Sequence, residues 1–263
     1  MAKYWLSALM LWLWTGLSSA VVPPSPAVDS GEHRTLRFVV YYPHFPPYIF
    51  TNPLGDVSGI VPDLLSPFFT EQKIRVDYLI DNRAGAEQRL YRGDVDAMML
   101  SPEWAAHPEQ LLFSDGIVAY DDYLFARTLA EADISANQLK GKKICTREYY
   151  VYPMLEPLFS KGVLIRMDSS SQEAQLRMML NQRCDLAYLN DLVAGWLMQQ
   201  NFTQSTIYSS PLYVGRSGLT IALHQRWQPI LPALNQFLQQ QRQLGVVQRV
   251  IARYVPESYG YSK

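Results

Sequence analysis

The stretch LSPEWAAHPEQLLFSD, residues 100–115, combines a hydroxyl group, an indole ring and an imidazole but contains no arginine or lysine. Ser101, Trp104 and His107 offer hydrogen bonding and ring stacking, the interactions by which concave sites hold small organic molecules. The alternative is that these side chains pack in the ordinary way under a loop. If the stretch forms a site for an anionic ligand, the positive charge must come from elsewhere in the chain.

The other residues that carry chemistry form no recognisable metal or catalytic pattern. The two cysteines, Cys145 and Cys184, are not a CxxC pair, and the sequence has no paired-histidine motif. Acid–base groups such as His44, Glu103 and Glu148 form no recognisable nucleophile–base arrangement. We therefore predict no metal, no cofactor and no catalytic residues.

Composition restricts the class of protein. The chain has 263 residues, 48% hydrophobic and 18% charged, which is enough for one large or two small cores. Its formal net charge of -1 gives no indication of nucleic acid or an anionic membrane as partner. Aromatic residues reach 13%, with 17 tyrosines and 6 tryptophans. Such residues suit a small-molecule site, although most of them must fill the core.

The first twenty residues, MAKYWLSALMLWLWTGLSSA, have the three parts of a secretory signal peptide. Lys3 supplies a positive charge, residues 4–17 are apolar, and residues 18–20 are small, as at a cleavage site. A membrane anchor is the alternative, but the apolar run is short for a span of ~20 residues. We predict cleavage after Ala20, a flexible leader over residues 21–34, and export to the periplasm.

The two cysteines both fall in the predicted mature chain. In an oxidising compartment an isolated pair is most simply a disulfide, so we predict a bond between Cys145 and Cys184. Closing a loop of ~40 residues would stabilise the folded chain by roughly 3–4 kcal/mol. Two buried thiols, or one reactive thiol, are the alternatives.

Strand and helix patterns alternate along the chain, which indicates an α/β fold with a largely parallel sheet. The predicted strands and extended segments are 36–42, 74–80, 95–100, 120–127, 139–146, 163–167, 184–189 and 212–224. In open α/β sheets the ligand lies beyond the carboxyl ends of the strands. Polar and aromatic loops follow those ends at 42–48, 101–107, 146–150 and 190–191.

The order and spacing of several segments resemble the extracellular solute-binding proteins of family 3, the substrate-binding proteins of polar amino-acid ABC transporters. FPPYIFTNPLGDVSGIVPDLL looks like the opening strand, loop and helix of that family. RGDVDAMML looks like its G-x-x-D-A strand, and LLFSDGIVAYDDYLFA like its F-S-x-P-Y strand. LKGKKIC and RCDLAYLND match strands of its second lobe. The similarity covers nearly all of residues 35–257.

This resemblance implies a two-lobed periplasmic-binding-protein-like fold of type II. Each lobe would be a mostly parallel sheet flanked by helices, and two hinge strands near Ala126 and Gly218 would join the lobes. Lobe 1 would comprise residues 35–125 and 222–258, and lobe 2 residues 126–221. Ligand would close the lobes by a hinge motion. The cysteines would lie on adjacent second-lobe strands, which also fits a disulfide.

The resemblance also implies site residues in the first lobe. The aromatic ring that stacks on the ligand is matched by Tyr42, Phe45 and Tyr48, and the hydroxyl position is matched by Ser101. The arginine that grips the ligand's carboxylate is absent. Trp104 takes its place when the motifs are aligned, and His107 when the spacing back from the strand is kept. Trp104 packing under the loop and His107 at the surface are the alternatives.

In the second lobe, Asp191, or Asn190 one place earlier, fits the position that meets the α-ammonium group of the ligand. Asp191 is also a candidate N-cap for the helix LVAGWLMQQ. Because burying a carboxylate without a cationic partner is costly, Arg147 is a candidate to supply the missing charge from this lobe. A solvated Arg147 is the alternative.

Together these features predict a periplasmic solute-binding protein, not an enzyme. It would capture a small polar solute, amino-acid-like or a derivative, and deliver it to an inner-membrane ABC permease. An exported dehydratase-like enzyme on the same fold and a ligand-presenting sensor protein are the alternatives. We expect a monomer that binds no nucleic acid and does not insert stably into the membrane.

Overall fold

The computed structural model describes residues 34–256. The predicted signal peptide lies outside the described residues, and so does the predicted leader except for Arg34. The strands are β1 (Arg34–Tyr41), β2 (Phe50–Thr51), β3 (Val57–Ser58), β4 (Ile74–Asp81), β5 (Ala97–Met99), β6 (Leu112–Phe113), β7 (Val118–Ala126), β8 (Lys143–Arg147), β9 (Ile165–Ser169), β10 (Leu186–Asn190), β11 (Tyr208–Ser209), β12 (Gly215–Leu219) and β13 (Ile221–Leu223). The α-helices are α1 (Ile60–Glu71), α2 (Arg83–Arg92), α3 (Leu129–Ala132), α4 (Glu156–Ser160), α5 (Gln172–Leu180), α6 (Asp191–Gln200), α7 (Leu231–Gln243) and α8 (Val246–Tyr254).

The first lobe is built on a five-stranded sheet with the strand order β4-β1-β5-β13-β6. Strand β1 pairs in parallel with β4 and β5, whereas β13 runs antiparallel to β5 and β6. The apolar run of β1 is almost entirely buried, as expected for a central strand covered on both faces. Helix α1 packs against β4 and α8.

The second lobe is built on a six-stranded sheet with the order β11-β7-β10-β8-β9, and β12 pairs with β7 beside it. Strand β8 pairs in parallel with β9 and β10, whereas β7 runs antiparallel to β10, β11 and β12. Helix α5 packs against β8 and β10. The predicted two-lobed α/β fold is confirmed, with antiparallel pairs added in each sheet by the strands next to the crossings.

The chain passes between the two sheets at two places. It leaves the first sheet after β6 and enters the second at β7, so the outward crossing is residues 114–117. It returns through Thr220, which separates β12 from β13. Ala126, near which the sequence predicts the first hinge, is the far end of β7 and pairs with Tyr208. The crossing lies earlier because 118–126 forms one continuous strand of the second sheet. The predicted lobe boundaries in the sequence remain predictions.

The predicted disulfide between Cys145 and Cys184 is confirmed. Cys145 is a central residue of β8 and Cys184 lies two residues before β10, with 5.7 Å between the two Cα atoms. Both side chains are buried. The bond therefore fastens neighbouring parallel strands inside the second lobe and does not join the two lobes.

Candidate functional site

A small cavity lies between the two lobes, where the carboxyl ends of the parallel strands from both sheets meet. Its free volume is about 30 Å³, room for roughly two water molecules. The wall contains six aromatic residues, one arginine and one carboxylate among otherwise apolar side chains. The lining residues are Tyr41, Phe45, Arg83, Met99, Trp104, Tyr120, Asp122, Tyr150, Val151, Tyr152 and Leu219. They come from β1, β5, β7, β12, α2 and the loops after β1, β5 and β8.

The loop after β1 is fixed against the start of α1. The first N–H groups of a helix have no partner within the helix, and here Ile60 N and Val61 N donate to Pro47 O and Tyr48 O, both at 2.9 Å. Gly59 permits this approach, because a Cβ atom there would lie 2.4 Å from Tyr48 O and its φ is +130°. The loop can therefore hold its aromatic side chains in the cleft without a regular secondary structure of its own.

Aromatic rings from both lobes form one continuous cluster along the cleft. Phe45 stacks on Tyr48 at 5.2 Å between ring centroids, and Tyr48 lies 5.6 Å from Tyr120. Trp104 meets Tyr120 edge-on at 4.8 Å, and Phe45 meets Tyr150 of the second lobe edge-on at 6.1 Å. Burial raises the pKa of Tyr48, Tyr120 and Tyr150, so these phenols stay neutral.

Hydrogen bonds also join the lobes across the cleft. They run from Tyr48 Oη to Asn190 Oδ1 (2.7 Å), from Arg147 Nη2 to Pro43 O (2.8 Å) and from Arg83 Nη1 to Tyr149 O (3.2 Å). In each bond one partner belongs to the first lobe and the other to the second. These contacts must break whenever the lobes separate.

Arg83 is a cavity residue that sequence reasoning missed. It is the first residue of α2, and its Nη2 donates to Trp104 O at 2.6 Å. Its charge is offset by Glu87, whose carboxylate lies 3.8 Å away. Arg83 thus brings a guanidinium to the loop that carries Trp104 and His107 and has no cation of its own. One signal was available, since a cation at the first position of a helix opposes the helix dipole and calls for another reason to be there.

Asp122 is the second residue that sequence reasoning missed. It lies half-buried on β7, two residues after Tyr120, so the two side chains share the cavity-facing side of the strand. Burial and the neighbouring carboxylates of Asp191 and Asp121 raise the pKa of Asp122 well above its usual range. The available signal was the adjacent carboxylates of Asp121 and Asp122 in the middle of an otherwise apolar strand, where charged residues are uncommon unless paired.

Of the five aromatic and imidazole residues predicted for the first-lobe site, two line the cavity and three do not. Phe45 and Trp104 line the cavity. Tyr48 is fully buried behind the wall, where it bonds to Asn190. Tyr42 is 63% exposed and does not line the cavity. The side chain of His107 is 57% exposed and packs against the ring of Tyr91, away from the cavity.

Two further predicted residues face partners within the protein. The hydroxyl of Ser101 donates to Gly218 O at 2.9 Å and accepts from Thr220 N at 3.3 Å, so it fastens the returning strand. Arg147 is only 4% exposed. Its guanidinium donates to Gln172 Oε1 at 2.6 Å and Tyr150 Oη at 3.1 Å, in addition to its bond across the cleft. Neither side chain belongs to the cavity lining.

The N-cap of α6 is Asn190, and the interpretation of Asp191 as the cap is wrong. Asn190 has an extended backbone, and its Oδ1 accepts from Leu192 N at 3.0 Å and Val193 N at 3.2 Å. Asp191 is the first residue of the helix, one position too late to cap it, and its carboxylate accepts from Leu192 N at 2.7 Å. The cap also fixes Asn190 in the orientation that accepts the Tyr48 hydroxyl.

Within the part of the chain that the structure describes, no group of three or more histidine, cysteine, aspartate or glutamate side chains is placed to hold a metal ion. None of the helices in residues 34–256 is long and apolar enough to span a bilayer.

No protein-family model and no curated protein sequence matches the chain. Solved structures do match. The ligand-binding core of GluR0 in complex with L-glutamate superimposes with a TM-score of 0.71 and 16% identity, covering 86% of this chain and 100% of that one. The substrate-binding protein of an amino acid ABC transporter gives a TM-score of 0.68 and 17% identity, with 84% of this chain and 98% of that one covered.

A third structure is a histidine kinase sensor domain with similarity to periplasmic binding proteins. It gives a TM-score of 0.68 and 18% identity over 84% of this chain and 96% of that one. At these identities the comparisons show the fold alone, and the three proteins are of different kinds. The chain therefore has the two-lobed fold of periplasmic binding proteins.

Proposed function

We propose that this protein is an exported solute-binding protein that captures a small polar solute, amino-acid-like or a derivative, and delivers it to an ABC permease. The observation that carries the proposal is the cavity between the lobes, whose wall is contributed by both sheets. Aromatic rings give it apolar surface for the body of a ligand, and Arg83 and Asp122 give it charged groups. Sites of this kind hold small molecules through a few polar contacts in an otherwise apolar wall.

The contacts across the cleft support capture by closure. Bonds such as Tyr48 to Asn190 and Arg147 to Pro43 exist only while the lobes are together. A ligand that touches both lobes favours the closed arrangement, because it adds interactions that the open arrangement lacks. The two crossings of the chain, at residues 114–117 and at Thr220, are the segments about which the lobes would move.

The wall supports binding more than catalysis. Its lining contains a single carboxylate and no histidine. His107 and Glu103, two of the acid–base groups available in the sequence, are exposed outside it. General acid–base chemistry requires groups within hydrogen-bond reach of a bound substrate. We therefore propose that a bound solute leaves the cavity unchanged.

The test is a thermal-shift screen of the mature protein against amino acids, oligopeptides, amines and organic acids. A micromolar ligand at 1 mM stabilises the folded state by about 4 kcal/mol and raises Tm by roughly 10 °C. A matched pair of variants locates the site. Phe45→Ala, in the cavity wall, should lose the shift, and Tyr42→Ala, exposed on the same loop, should keep it.

Two results would overturn the proposal. One is the absence of a shift with every class of compound. The other is chemical conversion of a bound compound, detected by mass spectrometry of the incubated mixture, which would favour an enzyme. Gel filtration of the mature protein tests the expected monomer.

A further inference from the structure

The charges around the cavity are not balanced. Arg83 is the cation in the wall, and Glu87 offsets it at 3.8 Å. The Arg83 guanidinium also serves two backbone carbonyls, those of Trp104 and Tyr149. Asp122 is the carboxylate in the wall. Within residues 34–256 nothing donates a hydrogen bond to its carboxylate or forms an ion pair with it.

The surroundings of Asp122 add negative charge and no positive charge. The groups that act on its carboxylate are Asp191 and Asp121, and their effect raises its pKa further after burial has raised it. Arg147 is a buried cation that does not line the cavity and packs on the Tyr150 ring, with its guanidinium carbon 4.7 Å from the ring centroid. Within the described residues, the Asp122 carboxylate therefore has no cationic partner, and a ligand can supply one.

The rings beside Asp122 suit the same ligand. Tyr120 lies on the same face of β7, and Trp104 meets it edge-on at 4.8 Å. The face of an aromatic ring carries partial negative charge and attracts organic cations, and its area packs well against hydrocarbon. A carboxylate placed among aromatic rings is a binding arrangement for an ammonium group on an apolar body.

We propose that Asp122 receives the ammonium group of a small organic amine, and that the ligand needs no carboxylate. This inference rests on the proposed solute-binding function and narrows its ligand class. The amine lies with its charged end at Asp122 and its hydrocarbon body against Tyr120, Trp104 and Phe45. The guanidinium of Arg83 serves the protein's own carbonyls and joins the two lobes. An amino acid is a weaker ligand than the amine with the same body, because its carboxylate gains no unoccupied cation.

The test uses sets of compounds that share a body and differ in charge. One set is phenethylamine, phenylalanine and 3-phenylpropionate, and another is butylamine, norvaline and valerate. Each is measured on the mature protein by thermal shift and by calorimetric titration. We expect the amine of a set to bind, the amino acid to bind more weakly and the acid not to bind. Any compound that binds in the broader screen is classed in the same way.

A pair of neighbouring variants assigns the role to Asp122. Asp122→Asn removes the charge at constant size and should raise the Kd of the amine about 10- to 100-fold. Asp121→Asn removes the adjacent charge from the opposite side of the same strand and should leave Kd within about twofold. Circular dichroism of both variants checks folding. If Asp122→Asn does not fold, Asp122→Glu, which displaces the carboxylate by one methylene, takes its place and should also weaken binding.

The outcomes separate this inference from the proposed function. Selective binding of amines that depends on Asp122 supports both. Binding of amino acids or acids in preference to amines, or binding of an amine that survives Asp122→Asn, overturns the inference and leaves solute binding intact. Absence of binding by every compound in the sets and in the screen overturns both.

Discussion

Asp96 and Asp122 are two carboxylates that the fold shields from water, Asp96 fully and Asp122 in part, and their surroundings differ in the partners they offer. Asp96, just before β5, is 2% exposed. Its oxygens accept from Arg37 Nε at 2.8 Å, from Trp227 Nε1 at 2.6 Å and from the guanidinium of Arg226. Asp122 lies in the cavity wall, and no residue within 34–256 donates to its carboxylate.

The pKa values follow the partners, because burial acts on both carboxylates in the same direction. Burial alone would raise the pKa of Asp96, but the hydrogen bonds from Arg37, Trp227 and Arg226 outweigh it and hold the pKa below its usual value. For Asp122, burial and two like charges all raise the pKa. A buried carboxylate with hydrogen-bond donors around it, such as Asp96, stabilises the fold. A carboxylate in a cavity wall without such donors, such as Asp122, is free to bind a ligand.

The largest effect is expected from removing the satisfied carboxylate. Asp96→Ala leaves the buried indole N–H of Trp227 and two arginines without their acceptor, so we expect a loss of about 3 kcal/mol in the free energy of unfolding. Urea denaturation measures it. The control is Asp94→Ala, which removes a carboxylate from the exposed pair with Arg92, and should cost less than about 1 kcal/mol. Equal losses for Asp96→Ala and Asp94→Ala would contradict a stabilising role for the hydrogen bonds to Asp96.

Removing a buried charge whose hydrogen-bond partners are all neutral should change stability by an amount between the effects of removing Asp96 and Asp122. Arg147→Met keeps much of the apolar stem but removes the donors to Pro43, Gln172 and Tyr150. We expect a loss of about 2 kcal/mol in the free energy of unfolding, measured in urea. Arg177→Met, which breaks an exposed pair with Glu173, is the control and should change stability by less than about 0.5 kcal/mol. A neutral result for Arg147→Met would mean that water replaces its contacts.

Removing the unsatisfied carboxylate should have the opposite sign. Asp122→Asn relieves the desolvation of a charge without a partner, so we expect the ligand-free protein to gain about 1 kcal/mol at pH 7. Differential scanning calorimetry without ligand measures the gain as a rise in Tm. Asp121→Asn controls for the general loss of negative charge near the cleft. A fall in Tm of the folded Asp122→Asn variant would show that the carboxylate has a stabilising partner in solution.

The contributions of the two carboxylates to stability should change with pH in opposite directions. Because the pKa of Asp122 is raised in the folded state, its destabilising effect is absent below the unfolded pKa of ~3.9 and develops as pH rises through the folded pKa. The pKa of Asp96 is lowered, so its contribution is present above ~3.9 and is lost as pH falls through the folded pKa. The gain from Asp122→Asn should therefore nearly vanish at pH 4. Unfolding curves of both proteins between pH 4 and 8 test this, and a gain independent of pH would contradict it.

The sequence was sufficient for those features that depend on local pattern. Alternating strands and helices predict the α/β fold, and the two cysteines predict the bond that the structure contains. The fold class and the position of the loops need only periodicity and the rule that ligands lie at the carboxyl ends of strands. Within those loops, the resemblance to family 3 led to Phe45 and Trp104, both in the cavity wall.

The missed residues depend on how distant elements meet. Asp122 faces the cavity because β7 pairs with β10 and β12 in one register, and a shift by one residue would turn Asp121 inward instead. Arg83 reaches the Trp104 loop through the direction in which α2 leaves β4. Neither fact can be predicted from the spacing of residues along the chain. The predicted cap of α6, Asp191, was one residue too late, because two adjacent side chains can both accept hydrogen bonds from the first N–H groups of a helix.

The size of the cavity has a kinetic consequence. At about 30 Å³ the cavity holds only water-sized molecules, so the proposed amine would enter an open arrangement and the lobes would close on it less far than they do here. Ligand must therefore wait for the protein to open, and the rate of opening limits the rate of association. In stopped-flow experiments the observed rate should rise with ligand concentration and then level off at the opening rate. Residence time will likewise be set by how often the contacts across the cleft release.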